Sequence, residues 1–279
     1  MRILPATLST LSAIAVLLFS CQKEGDSNSR TDSTGTRLVK MITKNGPDSA
    51  VHIYSYNSSE QLVDMTTTGT DQGDVLFNEE TIVRNSKGVI EKIIFKDEQL
   101  IQSGVDSFLI NVHYDDNLSR YTSRVATIDY GFAIWRDSVI FSYDANGKMT
   151  TVSNFTDNGT GTYHTGGKGE YTYAGNNMAT AKVFSYNAGA YEEDFTLRIE
   201  YDTKTSPLIL GNEAFVIDYQ GIGAYYSSNN YTKQTATYPI DPTETYTTTY
   251  TYNSTNLPAT SVSQLQPGND TSSSTYFYQ

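Results

Sequence analysis

Phe141-Ser142-Tyr143-Asp144-Ala145-Asn146-Gly147-Lys148-Met149 reads as a β-hairpin. Phe141 and Tyr143 lie two apart and so share one strand face. Asp144 and Gly147 fall where a type I turn takes an acceptor and then a left-handed residue, and Met149 opens the return strand. Variants of this stretch recur along the chain. Aligned on Tyr143, they fall at Tyr56, Arg84, Tyr114, Tyr143, Tyr173, Tyr201, Tyr252 and Tyr278, and the first five steps are 28, 30, 29, 30 and 28 residues. The step from Tyr201 to Tyr252 is 51 residues, close to two units with one poorly marked member inside. A sustained period of this length means an array of one supersecondary unit. Each unit holds two strands of about ten residues, each about 33 Å long. The expected fold is all-β, a long curled antiparallel sheet, open or closed into a barrel, built from hairpin repeats of about 29 residues.

Composition agrees with that class. The chain has 22 Tyr, 11 Phe and many Thr, residues that favour strands, and amphipathic helical windows are absent. The 279 residues show no composition break after the leader, so residues 37–279 read as one domain. Without the leader, whose only charge is Arg2, 18 basic residues face 31 acidic ones, a net charge of −13. No basic stripe interleaves with the aromatics, which argues against nucleic acid or anionic lipid as a partner. The sole cysteine, Cys21, excludes an internal disulfide and a cysteine-based zinc cage.

Residues 1–20 combine Arg2 with an apolar run that ends Leu17-Leu18-Phe19-Ser20, too short for a good membrane span, and read as an export signal. Leu18-Phe19-Ser20-Cys21 resembles a bacterial lipoprotein signal, with Phe19 larger than the usual residue there. The resemblance implies cleavage before Cys21 and acylation of that residue, with a bilayer as partner through the lipid. Each buried methylene then contributes about 0.8 kcal/mol, so more than one acyl chain anchors stably. Residues 21–36 supply the lipidated cysteine and a polar tether without apolar residues to bury. A flexible link of this length spans about 20 Å. Its start, Gln22-Lys23-Glu24-Gly25-Asp26, looks like the acidic tract of surface-exported Bacteroidetes lipoproteins, interrupted by Gly25.

Three departures from the repeat are informative. The second unit, Val83-Arg84-Asn85-Ser86-Lys87-Gly88, keeps the turn glycine and loses both tyrosines. The third places Leu118 where glycine is expected, so its turn must differ. The fifth offers Asn177 for the left-handed position. In the sixth, periodicity of two fades between Gly211 and Tyr226, which predicts a longer excursion with a short helical turn.

The Tyr-x-Tyr-Asp-x-x-Gly signature is similar to the YD repeats of Rhs-type proteins. The fuller combination resembles uncharacterised Bacteroidetes lipoproteins described as having a porin-like fold. It comprises the lipobox, the roughly thirty-residue units, the segment Tyr201 to Pro207 and the late unit Tyr250 to Pro258. The resemblance implies a curled, barrel-like sheet in an outer-membrane, lipid-anchored protein on the cell surface or the periplasmic face. It carries no assigned activity and no functional residue. A membrane-crossing wall needs uniformly apolar outward positions over a band about 25 Å tall. Here both alternating faces carry polar groups, as in Asp137 to Tyr143, which argues for a lipid-held rather than lipid-embedded barrel.

Candidate chemistry is sparse. His52, His113 and His164 lack metal-ligand spacing, although His52 and His113 occupy similar places before their hairpins and can share a sheet face. Asp115-Asp116-Asn117 and Asp71-Gln72-Gly73-Asp74 lack calcium-loop spacing and suit ordinary turns. A glycosidase would need two opposed carboxylates, for which Glu192, Glu193, Asp194 and Glu200 are available. No Gly-x-Ser-x-Gly, His-Glu-x-x-His or phosphate loop is present, so no metal, cofactor or catalytic residue is assigned and a non-enzyme is expected. The aromatic surplus is the best lead. Tyr54, Tyr56, Tyr171, Tyr173, Tyr250 and Tyr252 form rows on which sugars or apolar groups can stack, and Trp135 is the only tryptophan. The alternative is that these rows are the core. The expected role is a non-catalytic binding module for a glycan, small ligand or envelope protein. A structural spacer or subunit and a hydrolase are the alternatives.

Overall fold

The computed structural model describes residues 36–131, 133–218, 225–268 and 270–279. The proposed signal, Cys21 and nearly all of the tether therefore lie outside the described residues. The chain forms sixteen strands. The first eight are β1 (Leu38–Asn45), β2 (Asp48–Tyr56), β3 (Leu62–Asp71), β4 (Asp74–Arg84), β5 (Ile90–Asp97), β6 (Phe108–Asp115), β7 (Arg120–Asp129) and β8 (Ile134–Tyr143). The rest are β9 (Met149–Asp157), β10 (His164–Ala174), β11 (Asn177–Asn187), β12 (Ala190–Thr205), β13 (Asn229–Thr237), β14 (Glu244–Tyr252), β15 (Pro258–Gln266) and β16 (Thr271–Tyr278). Every strand pairs antiparallel with its sequence neighbours, and β16 pairs with β1, so the sheet is a closed barrel. Closure makes the eighth unit out of both described ends: Arg37 and Gln279 exchange backbone hydrogen bonds at 3.3 and 2.9 Å.

The repeat follows from one local problem. Each anchor residue sits at a bulge, and the ladder between neighbouring units stops short of the return strand's first residue. Pairing of β9 with β10 begins at Thr151 and Glu170, which leaves the Met149 carbonyl beyond the ladder. The Tyr173 hydroxyl donates to it. The same bond joins Tyr56 to the Leu38 carbonyl, Tyr143 to that of Tyr121 and Tyr278 to that of Pro258, each at 2.7 Å. A backbone acceptor stranded at a bulge must find a donor, and in these four units the anchor tyrosine is that donor, whereas the hydroxyls of Tyr201 and Tyr252 bond Ser227 and Asp202 instead. The turns are equally stereotyped. The Asp144 side chain accepts from the backbone of Asn146 and Lys148, and Gly147 takes φ +78°. Asn57, Asn85 and Asn253 cap their turns in the same way.

The irregular units deviate for visible reasons. Leu118 is not left-handed; the turn runs one residue longer and Ser119 takes φ +50°. Asn177 begins β11, and Gly175 is the left-handed residue instead, at φ +59°. The long step from Tyr201 to Tyr252 contains no hidden unit. It is a single unit, β12 to β13, interrupted by the excursion 206–228 that carries α2 (Glu213–Ile217). A second helix, α1 (Glu98–Gln102), was not expected; the Asp97 side chain caps it by accepting from Leu100 N–H.

A barrel of sixteen strands encloses a channel unless something fills it. The excursion fills it here. Ala214, Phe215, Val216 and Ile217 of α2 are at most 5 % exposed, inside the wall. They join Ile93, Ile110, Val139, Met149, Tyr171 and Met178 in one hydrophobic cluster that extends around the barrel. Phe215 stacks against Tyr171 at 4.7 Å and against Tyr226 at 5.7 Å.

Candidate functional site

The barrel has two unlike ends. At the plug end lie the Tyr-Asp turns and the excursion. At the opposite end lie the other hairpin tips and α1. The plug is latched by polar contacts from the wall. Arg84 takes the tyrosine place of the second unit, and its guanidinium forks onto Glu213 at 2.8 and 2.7 Å while its Nε donates to the Leu62 carbonyl at 3.1 Å. The Tyr121 hydroxyl donates to Glu213 at 2.7 Å and accepts from the Ile90 N–H. Arg124, buried in the wall, donates to the carbonyls of Val216 and Ile217 at 2.6 and 2.7 Å, which satisfies the C-terminal end of α2. Glu80, only 8 % exposed, stands nearby. Burial first, then the Asp218 carboxylate, pushes the Glu80 carboxyl up to about 8 against the pull of Arg124.

Beside the latch is a pocket of about 290 Å³ lined by Gln61, Lys87, Tyr114, Arg120, Tyr143 and Glu213, among others. Arg120 lies over the Tyr143 ring at 5.1 to 5.3 Å spacing typical of this rim: Arg37 on Tyr56 is at 5.1 Å, Arg120 on Tyr143 at 5.2 Å and Lys148 on Tyr173 at 5.3 Å. These cations cover the tyrosine faces, so those faces are occupied by the chain itself.

The structure distributes the sequence-predicted contact residues unevenly. Tyr54 and Tyr171 are buried at 4 and 5 % exposure. Tyr56, Tyr173, Tyr250 and Tyr252 are half-buried, and their hydroxyls donate to Leu38, Met149 and Tyr231 carbonyls and to the Asp202 carboxylate respectively. Trp135 stands apart from them, half-buried at the opposite end, edge-on to Tyr130 at 6.1 Å. The four acidic residues considered for glycoside cleavage do not face one another across a cleft. Glu193 and Glu200 pair with Lys182 and Lys233 on the outer wall at 3.5 and 2.9 Å, while Asn187 and Ser185 donate to Glu192 and Asp194. His52 and His113 do not share a face: His52 points inward with Nδ1 2.9 Å from the Thr67 hydroxyl, and His113 is exposed on the outer wall. Among the described residues no His, Cys, Asp and Glu group is arranged to hold a metal. The plug latch escaped sequence reasoning, although its signal was present as Arg84 in place of tyrosine.

The outer wall carries charge at mid-strand. Lys168, Glu170, Lys182, Arg198, Glu200 and Lys233 project outward from β10 to β13, and Lys168 pairs with Glu170 at 2.6 Å. A lysine or arginine held against acyl chains costs about 2–4 kcal/mol at the bilayer midplane. This arc is built for a polar surround.

The fold and the site thus define a closed, plugged, sixteen-stranded antiparallel barrel. Comparison with protein families and with curated proteins gives no match. Among solved structures, the chain is similar to a porin-like protein from Bacteroides uniformis ATCC 8492, with a TM-score of 0.54 and 12 % identity over 88 % of this chain and 98 % of that one. It is likewise similar to a porin-like protein from Bacteroides vulgatus ATCC 8482, with a TM-score of 0.55 and 12 % identity over 87 % and 98 %. At this identity the likeness is one of fold.

Proposed function

We propose that this protein is a lipid-anchored cell-envelope protein whose filled barrel is a rigid, non-catalytic binding scaffold rather than a solute channel. The observation that carries the reading is the latched plug, with Phe215, Val216 and Ile217 packed into the wall's own hydrophobic cluster. The charged arc on β10 to β13 supports a barrel held beside a membrane by acylated Cys21 rather than embedded in it. The envelope address draws support from the lipobox and from the porin-like neighbours. Residue 36 emerges at the plug end, so a lipid on Cys21 would turn that end toward the bilayer and the opposite end away from it.

With the tyrosine rows packed or hydrogen-bonded, ligand contact falls to the barrel's ends. The burial of Tyr54 and Tyr171 also favours a second reading, a spacer or subunit of an envelope assembly. Fractionation of cells expressing Cys21→Ala tests the anchor: the variant should move to the soluble fraction, and continued membrane retention would overturn it. Addition of the purified protein to planar bilayers tests the scaffold reading. No stepwise conductance is expected, and channel openings would refute it.

A further inference from the structure

Large apolar side chains are exposed mostly at one end of the barrel. Four consecutive hairpin tips opposite the plug, those joining β7–β8, β9–β10, β11–β12 and β13–β14, display Ile134, Tyr163, Tyr186, Tyr191 and Ile240, the last at 95 % exposure. Trp135 lies at the first of these tips, and Gly159 in the second tip approaches Ala133 and Ile134, so the first two loops touch. Tyr186 and Tyr191 stack edge-to-face at 5.1 Å across the third tip. With strands about 4.8 Å apart, four neighbouring tips form an arc of roughly 30 Å.

The same arc is acidic. Asp129, Glu192, Asp194 and Asp241 are exposed along it, and none of them forms an ion pair among the described residues. The cations within the arc are already engaged, Arg136 with Asp157 at 3.1 Å and Lys168 over the Tyr191 ring at 4.6 Å, while Arg37, Lys87, Arg120, Lys148 and Lys204 lie at the plug end. An exposed aromatic and aliphatic row of this size marks an interaction surface. Its unpaired carboxylates choose the occupant. Lysine and arginine can pair with the carboxylates and also lie on aromatic faces of the arc other than the Tyr191 face that Lys168 covers, whereas an anionic lipid headgroup or acidic glycan would be repelled.

We infer that the β7 to β14 tip arc is a docking surface for a basic protein segment that interleaves Lys or Arg with aliphatic side chains. This rests on the binding reading above and specifies its partner class.

The test uses full-length Cys21→Ala protein, so it is independent of anchoring. A fluorescein-labelled peptide of five Lys-Leu repeats is the probe and a matching Glu-Leu peptide the control. Fluorescence anisotropy should show saturable binding of the Lys-Leu peptide, weakened at least tenfold between 50 and 500 mM salt, with no binding of the control. The emission of Trp135, the only tryptophan, should shift on binding. The triple variant Tyr186→Ser, Tyr191→Ser, Ile240→Ser should lose binding at least tenfold with unchanged melting temperature, while Leu118→Ser with Ile209→Ser at the plug end should bind as before. Equal binding by both peptides, insensitivity to the rim substitutions, or binding of neutral polysaccharide or anionic vesicles in place of the Lys-Leu peptide would overturn the inference. Failure of these arms leaves the fractionation and conductance results standing on their own.

Discussion

The Nε of Arg84 donates to the Leu62 carbonyl at 3.1 Å, in the position where other units place a tyrosine hydroxyl. One residue therefore keeps the repeat's inter-unit bond and adds a bidentate grip on Glu213 of the plug. Arg84→Tyr should restore the unit's usual bond while leaving the Glu213 carboxylate with Tyr121 alone. The side chain of Arg84 is 5 % exposed, so the loss should resemble that of a buried ion pair broken on one side, about 3 kcal/mol. Adding Glu213→Gln removes the stranded charge and should recover roughly half. Thermal or urea unfolding of the two variants decides it; a double variant no better than the single would show that Glu213 is not held chiefly by Arg84.

Tyrosine-to-carbonyl bonds link the units, and each should contribute the modest net of a neutral hydrogen bond. Tyr143→Phe and Tyr173→Phe should each cost about 1 kcal/mol. The acceptors, on Tyr121 and Met149, lie in different unit junctions, so the double variant should sum within about 0.5 kcal/mol. Urea denaturation measures both. A neutral effect at both sites would mean that water satisfies these carbonyls equally well.

Gly69 marks a place where backbone approaches backbone. A Cβ there would come 1.9 Å from the Ser49 carbonyl oxygen and 2.9 Å from the Ala50 Cα, neither of which is a flexible side-chain end. Gly69→Ala should therefore destabilise by several kcal/mol, in the range of overpacked cores. Gly73, in the adjoining turn, has open space around it but φ +85°, so Gly73→Ala should cost only about 1 kcal/mol. Similar losses at the two sites would contradict the contact.

Period and turn chemistry made the barrel's units legible, because the bond from anchor tyrosine to stranded carbonyl, made by Tyr56, Tyr143, Tyr173 and Tyr278, needs the same residue at the same spacing. Closure was not legible, since it depends on Leu38 and Tyr278 meeting across the whole chain. The 51-residue step misled because length alone does not distinguish a faded unit from an insertion; the short helical turn expected between Gly211 and Tyr226 is there as α2, but Phe215, Val216 and Ile217 form an apolar run too short to announce that it is buried inside the barrel. For the candidate contact residues, alternation placed Tyr54 and Tyr171 on one face but could not tell a lined cavity from a core. That difference is made by the plug, which is held by Arg84 of β4 and by Tyr121 and Arg124 of β7.

Two buried groups give the stability a pH dependence whose parts can be separated. Burial and Asp218 raise the Glu80 carboxyl from 4.5 to about 8, so the folded chain keeps a proton that the unfolded chain releases. Stability therefore falls as pH rises from 4.5 to about 8, by no more than about 1.4 kcal/mol per pH unit. Burial lowers the His52 imidazole from 6.5 to about 4, so the folded chain lacks a proton that the unfolded chain takes up, and stability is lost as pH falls through that window. Between about 4.5 and 6.5 the two slopes oppose each other; from 6.5 to 8 only the Glu80 slope remains. The wild type should thus lose stability between pH 6.5 and 8, and Glu80→Gln should abolish that loss. His52→Gln should instead extend the decline down to about pH 4.5. Urea unfolding at pH 5, 6.5 and 8 measures all three chains. An unchanged alkaline slope in Glu80→Gln would show that this carboxyl does not hold its proton in the folded barrel.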